Sequence, residues 1–400
     1  MPGENKRMEN SKRPFWIIFT TVTIDLLGFG MVLPLLPIYG RSFGVSEAQM
    51  GLVLGAYSLM QFLFAPLLGR LSDKIGRRPV LCISILGTAL GHFVLALAGS
   101  FWLLILGRVI DGIAGSNIAT AQAYIADMSP PEQRTRNIGM WFGAAFGIGF
   151  AIGPFFGGLT YQFGQWVMPE YAERMPFIVA GCLSLANAVH AWFKLPESIP
   201  DRSPFHMGWR TNSFAIIGEV LRSPAGRMVL MNALIIMAFA QMEATYAYLM
   251  VDRFGLDKSS IYWVFGGLGL TVAFVQGGLV RRIEPLLGDR KLILWGGAAL
   301  AIGLIMLPVG QHIAWLFGFS LLMALGNGLV SPAMTGVISK SASGAVQGET
   351  MGVSASMGSL ARFAGPALGL VLYQYWGVSV PYVVAGVMIL MVTTIASRRL

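Results

Sequence analysis

"GRLSDKIGRRPV", residues 69–80, carries Arg70, Asp73, Lys74, Arg77 and Arg78 between two long apolar runs. Upstream lies "MGLVLGAYSLMQFLFAPLL" and downstream "LCISILGTALGHFVLALAG". An apolar run of about 20 residues crosses the hydrocarbon core of a bilayer as a helix. The charged stretch is therefore a loop between two membrane spans, and this reading decides the fold. Its basic residues mark it as cytoplasmic. Asp73 does not follow from that rule, because orienting a loop needs no acid.

The whole chain has the same character. Of its 400 residues 55% are hydrophobic and 12% charged, with a mean hydropathy of +0.66. Soluble domains carry roughly 25% charged residues. The apolar runs lack the alternation of barrel strands, which leaves helices as the spanning element. The 50 glycines suit close packing between membrane helices. Cys82 and Cys182 lie inside apolar runs, so free buried thiols are expected rather than a disulfide.

Twelve spans are predicted, at roughly 14–39, 48–69, 79–99, 101–126, 136–161, 175–194, 226–251, 259–281, 291–309, 313–338, 347–373 and 378–397. The expected organisation is a tail at 1–13, a six-span half at 14–194, a linker at 195–225 and a second half at 226–400. The apolar run at 14–39 is too long for a signal-peptide core and is read as a retained span. With the N-terminus and the even-to-odd loops on one side, that side holds 22 of the 28 Lys and Arg residues. The other side holds Arg41, Arg174, Arg253 and Lys258. Both termini are accordingly expected in the cytoplasm. The asymmetry also accounts for the net charge of +9 without a nucleic-acid partner.

The chain repeats itself. "FGVSEAQMGLVLGAYS" begins at Phe43 and "FGLDKSSIYWVFGGLG" at Phe254, 211 positions later. The "GP" of 153–154 returns at 365–366. Two halves of one plan and one orientation are a transporter architecture, with the substrate site near midplane.

Several stretches resemble the major facilitator superfamily. "GRLSDKIGRRPV" resembles its loop between spans two and three. "LGRVIDGIAGSNIATA" (106–121) resembles its fourth-span motif, and "GIGFAIGPFFGG" (147–158) the fifth-span motif of proton-coupled antiporters. "DLLGFGMVLPLLP" (25–37) is similar to the first span of the twelve-span drug:proton antiporter group, in its tetracycline-efflux-like branch. The resemblance implies an all-α integral membrane protein of two pseudo-symmetric six-helix bundles working by alternating access. It implies a gate at Gly69, Asp73, Gly76, Arg77, Arg78, Asp127 and Arg134, with Arg77 linking Asp73 to Asp127. The antiporter motif would be Gly149, Gly153, Pro154, Gly157 and Gly158; simple helix packing also accounts for such a glycine face. The chain departs from the tetracycline-efflux pattern where it reads Leu90-Gly91 on the third span, and in having no titratable residue on the apolar eighth and ninth spans.

Charges inside spans cost about 2.5–3.5 kcal/mol each on insertion scales, so each is a functional candidate. Asp25 is read as a proton or cation site, against a permanently paired structural role. Arg108 and Asp111, three apart on one helix face, form an ion pair or work with Asp25 in proton coupling. Glu243, with Gln241 and Tyr246 beside it, suits an organic cation or an interhelical bond. Arg362 neutralises a carboxylate or binds an anionic group. With Gln61, Asn117 and Asn327, these residues are the expected substrate cavity. Asn187 reads as an interhelical hydrogen bonder. His92 and His190 either pack or shuttle protons, and packing is the reading adopted.

The expected function is a proton-coupled efflux antiporter for a small amphiphilic organic substrate. It is placed in the cytoplasmic membrane as a monomer, with protons and the bilayer as its other partners and no cofactor or metal. The alternatives are a facilitator or symporter importing a metabolite, and a non-transporting sensor or scaffold. No nucleophile constellation, metal spacing or phosphate loop points to an enzyme.

Overall fold

The computed structural model describes residues 2–198, 213–342 and 346–399, and the regular structure among them is entirely helical. The spans of the first half are α1 (Pro14–Val32), α2 (Glu47–Ile75), α3 (Arg77–Ala96), α4 (Phe101–Asp127), α5 (Ile138–Val167) and α6 (Met175–Lys194). Those of the second are α7 (Pro224–Phe254), α8 (Lys258–Leu279), α9 (Val280–Met306), α10 (Ile313–Ser341), α11 (Gln347–Trp376) and α12 (Val380–Arg399). Ten of them are long and apolar enough to cross a membrane. In α9 the apolar stretch begins only after a charged first part, and in α12 it covers Val380–Ala396. This is the all-α, twelve-span class the hydropathy pattern predicts.

The first span differs from its expected extent. The helix ends at Val32 and resumes as the short helix Leu36–Arg41. Pro34 explains the break: proline lacks an amide hydrogen, and the residue before it is pushed out of the helical region. Pro37 stands in the first turn of the new helix, where that missing hydrogen is tolerated. Between α6 and α7, residues 199–212 of the expected linker, with Arg202 and Arg210, lie outside the described residues. The helix Ser213–Arg222 follows them.

Local chemistry sets the other boundaries. Pro224 stands at the first turn of α7 behind Ser223, and Gly255 closes that helix in the left-handed region (φ 65°). The Asp257 side chain accepts from the Ser259 and Ser260 amides and starts α8. Gly288 (φ 71°, ψ 162°) kinks α9 where its charged part meets its apolar part.

Packing divides the chain into two compact units. One is Met1–Leu36 with Met60–Met207; the other is Pro37–Leu59 with Gly208–Leu400. In the first, α1 packs on α5 and α6, and α3 on α4 and α6; in the second, α7 packs on α11 and α12, and α9 on α10 and α12. Large apolar side chains on the outer faces, including Ile83, Leu90, Trp102, Phe193 and Trp295, are exposed. In a chain of this hydropathy their solvent is lipid. Cys182 is among the exposed positions, against expectation, whereas Cys82 is buried; both thiols are free.

Candidate functional site

In the first unit Asp25 sits at mid-helix on α1. It borders a cavity of about 10 Å³ with Thr21 and Asn117, walled by Leu81, Ile85 and Phe142. That is room for roughly one water. Asn117 and Thr88 lie toward the carboxylate, yet its Oδ1 has no hydrogen-bond partner among the described residues. A buried acceptor without a partner costs about 1–3 kcal/mol, which protonation or water relieves.

Arg108 is held elsewhere. Its Nη1 donates to Asp111 Oδ2 at 2.8 Å, and the pair is buried (2% and 3% exposed). The guanidinium also lies 5.6 Å from the centre of the Phe29 ring on α1. The structure therefore gives the ion-pair geometry, not an Asp25–Arg108 contact. Gly91 makes room for it: a Cβ there would lie 3.0 Å from Asp111 Cβ and 3.1 Å from its amide. Gln61 Nε2 donates to the Gly115 carbonyl at 3.0 Å and ties α2 to α4.

The glycine-proline stretch of α5 lies against α1. A Cβ on Gly149 would meet Leu26 Cβ and the Thr23 carbonyl at 2.8 Å, and one on Gly153 would meet Gly30 Cα at 2.7 Å. Pro154 Cδ would be 3.3 Å from a Cβ on Gly30, and Gly157 and Gly158 are buried. The motif thus brings α5 close to the helix that carries Asp25.

The loop at residues 69–80 folds into a charge cluster. Arg77, buried to 10% exposure, reaches Asp73 Oδ1 at 2.5 Å and Asp127 Oδ2 at 3.0 Å. It also donates to Ser72 Oγ at 2.6 Å, and Ser72 donates in turn to the Gly69 carbonyl at 2.7 Å. Gly76 has φ 107°, and a Cβ there would collide with the Glu197 carboxylate. Glu197 caps α3, accepting from the Arg77 amide at 2.9 Å and the Arg78 amide at 3.2 Å. Arg78 turns outward onto Trp192, donating to its carbonyl and lying over its ring. Arg134 is exposed and stands outside the cluster. Glu197 was not foreseen; an acid placed just after the sixth span was the available signal.

In the second unit the expected cavity residues separate. Gln241 is fully buried, donates to the Pro381 carbonyl at 2.5 Å and packs on Gly365 and Gly369. Tyr246 is fully buried, bonded to Ser320 and packed on Phe265. Both face neighbouring helices. Glu243 and Asn327 are half-buried. Arg362 is exposed at mid-span and bonds only Ser359 Oγ, at 3.3 Å, among the described residues. Tyr57 and Glu243 are the charged or titratable groups that act on it.

The family model of the Major Facilitator Superfamily matches residues 18–287 and 285–399. The chain belongs to the Major Facilitator Superfamily. It is 31% identical to the class B tetracycline resistance protein of Escherichia coli, over 92% of this chain and 89% of that one. Among solved structures, the human organic anion transporter MFSD10 (TETRAN) aligns with a TM-score of 0.71 at 26% identity, covering 96% and 99% of the two chains. A bacterial homolog of the human lysosomal transporter Spinster aligns with a TM-score of 0.78 at 16% identity, covering 97% of each. As a Major Facilitator Superfamily member the chain is a multi-pass membrane transporter and not an enzyme.

One cluster in this transporter escaped the sequence reading. Arg41 forks onto Asp252, Nη1 to Oδ1 at 2.6 Å and Nη2 to Oδ2 at 2.9 Å. Nη2 also reaches Glu47 at 2.8 Å, and Tyr373 donates to Asp252 Oδ2 at 2.8 Å. The guanidinium covers the Tyr248 ring at 4.4 Å, and the Tyr248 hydroxyl donates to the Pro37 carbonyl at 2.9 Å. The Asp252 hydrogen bond pushes the Arg41 pKa up and keeps the cation charged. Arg41 and Asp252, like Pro37 and Tyr248, are 211 residues apart, the offset of the internal repeat. The signal was present as opposite charges at equivalent positions.

Proposed function

We propose that this transporter is a proton-coupled efflux antiporter for small amphiphilic organic compounds, working by alternating access in the cytoplasmic membrane with both termini inside. The observation that carries this reading is Asp25. It is a mid-span carboxylate with an unsatisfied Oδ1 beside a water-sized cavity, and Asp111 already occupies the nearby arginine. An acceptor left without a protein partner there is satisfied by water or by a proton. The relatives named for tetracycline resistance add support, because resistance through a membrane transporter is served by export.

The test is transport by purified protein in proteoliposomes under an imposed pH gradient, with a panel of amphiphilic compounds. Asp25→Asn is expected to abolish uphill transport while leaving downhill exchange and thermal stability intact. Gradient-driven accumulation by that variant at the wild-type rate sinks the proposal.

A second reading of the substrate is favoured by Arg362. A guanidinium exposed at mid-span with no carboxylate within 4 Å among the described residues suits an anionic group on the substrate. The MFSD10 likeness points the same way, since that protein is named an organic anion transporter. Anionic and cationic members of the same panel separate the two readings.

A further inference from the structure

The first unit holds a second titratable side chain, which the Asp25 site does not use. His92 on α3 is fully buried, and neither ring nitrogen has a hydrogen-bond partner among the described residues. From α6, the Ala180 carbonyl lies toward the ring. A Cβ on Gly28 of α1 would lie 3.2 Å from His92 Cε1 and 3.7 Å from Ser184 Oγ. The ring therefore sits where α1, α3 and α6 meet. The charged groups acting on it come from α4, Asp111 and Arg108. Asp25 lies three residues before Gly28 on α1.

His92 is not alone. Thr21 Oγ1, Asp25 Oδ1, Thr88 Oγ1, Ser184 Oγ and Asn187 Oδ1 are also buried without partners. Their spacing places them on helix faces: Thr21, Asp25 and Gly28 on α1, Thr88 and His92 on α3, Ser184 and Asn187 on α6. Thr88 lies toward Asp25, and Asn187 Nδ2 donates to the Thr21 carbonyl at 2.9 Å, pinning α6 to α1. One polar seam thus runs between three packed helices, from the Asp25 carboxylate to the His92 ring.

A position selected for packing alone would be apolar, because each orphaned polar atom costs about 1–3 kcal/mol. Six residues carrying that cost where three helix faces meet call for occupants that hydrogen-bond, which are water and protons. The imidazole is the side chain whose ordinary pKa, about 6.5, falls in the working range of pH. The charges that face it are the Arg108–Asp111 ion pair of α4, so a proton on the ring would sit beside Asp111 and against Arg108.

We propose that His92 is a second proton-binding residue of the transporter, joined to Asp25 by the polar seam between α1, α3 and α6. This rests on the reading of Asp25 as the proton site and extends it. His92 stands beside Gly28, one turn beyond Asp25 from the cytoplasmic end of α1. A proton arriving from outside therefore binds a ring nitrogen of His92 first and passes along the seam to Asp25, the positive charge forming next to the Arg108–Asp111 pair.

The test is histidine-selective ¹⁵N NMR of the full chain in lipid nanodiscs, titrated from pH 5 to 8. The chain has four histidines, and His92→Gln identifies the signal by its disappearance. The His92 ring is expected to pass from charged to neutral within that range, with its midpoint displaced in Asp25→Asn. A ring that stays neutral, or stays charged, throughout overturns the proposal. An unchanged midpoint in Asp25→Asn overturns the link to Asp25. Because the titration is read in wild-type protein, it stands even if a variant folds poorly. It is also separate from the transport assay: gradient-driven uptake by Asp25→Asn would sink the antiporter reading whatever the ring does.

Discussion

The second span carries an arginine cluster at each end, and the two are built differently. At its start Arg41 binds Glu47 and Asp252, side chains that remain 34%, 22% and 27% exposed. At its far end Arg77 is 10% exposed and binds Asp73, Asp127 and Ser72. The Arg77 cluster draws all its partners from residues 72–198. The Arg41 cluster pairs equivalent positions of the repeat. Exposed pairs are worth about 0–1 kcal/mol each, whereas removing one partner of a buried pair costs about 3–5 kcal/mol. The same chemistry thus gives a fixed structural knot at one end of α2 and an easily opened contact at the other.

The largest expected effect breaks the knot. Arg77→Gln leaves Asp73 and Asp127 facing each other without their cation. Partial exposure of the two acids relieves part of the penalty, so the expected loss is about 2–3 kcal/mol, read as a lower Tm in detergent. A Tm equal to wild type would mean that the buried guanidinium contributes nothing and that the contrast between the two ends is false.

This contrast also explains what was legible in the sequence. The twelve spans, the repeat and the charges at Asp25, Arg108, Asp111, Glu243 and Arg362 stand out because charge inside an apolar run is costly. The charges of the 69–80 loop were legible because they crowd one short stretch, whereas the link from Arg77 to Asp127 came only through the family resemblance. Arg41 was not, because a lone arginine in a short loop looks like one more topological charge; its partner comes into view only when the two halves are aligned. The partners of Gln241 and Tyr246 were not legible for a different reason. Helical spacing says which residues share a face, but not which neighbour that face meets, and here Pro381 and Ser320 took the polar atoms. The polar seam around His92 escaped because its members lie on three helices far apart in the chain.

A smaller effect on stability, with a larger one on conformation, is expected at the other end. Arg41→Gln and Asp252→Asn are each predicted to change stability by less than about 1 kcal/mol. Both should open the contact. In a Cys-free background, a cysteine at Leu54, which is buried in the second unit, should then label several-fold faster with a water-soluble maleimide. The double variant should label no faster than either single one, because the same bond is lost once. Additive labelling rates would show that the two residues act separately, and unchanged rates would make the cluster a passive surface pair.

The smallest effect on labelling comes from an acid close to the Arg41 cluster but outside it. Asp257 stands five residues after Asp252 and bonds Ser259 and Ser260 at the start of α8. Those bonds, led by the Ser260 hydroxyl, hold its carboxyl below the ordinary value. A depressed carboxyl stabilises the fold above the unfolded pKa, about 3.9, and that stabilisation fades as pH falls through the folded value. Asp257→Ala is therefore expected to cost about 1 kcal/mol at pH 7 and to cost progressively less below about pH 4. Leu54 labelling should stay at the wild-type rate, since the cap fastens α8 to its own first turn and to nothing in the Arg41 cluster. Faster labelling in Asp257→Ala would mean that loss of any acid at this end loosens the unit, and the role assigned to the Arg41–Asp252 fork would then fall to general destabilisation.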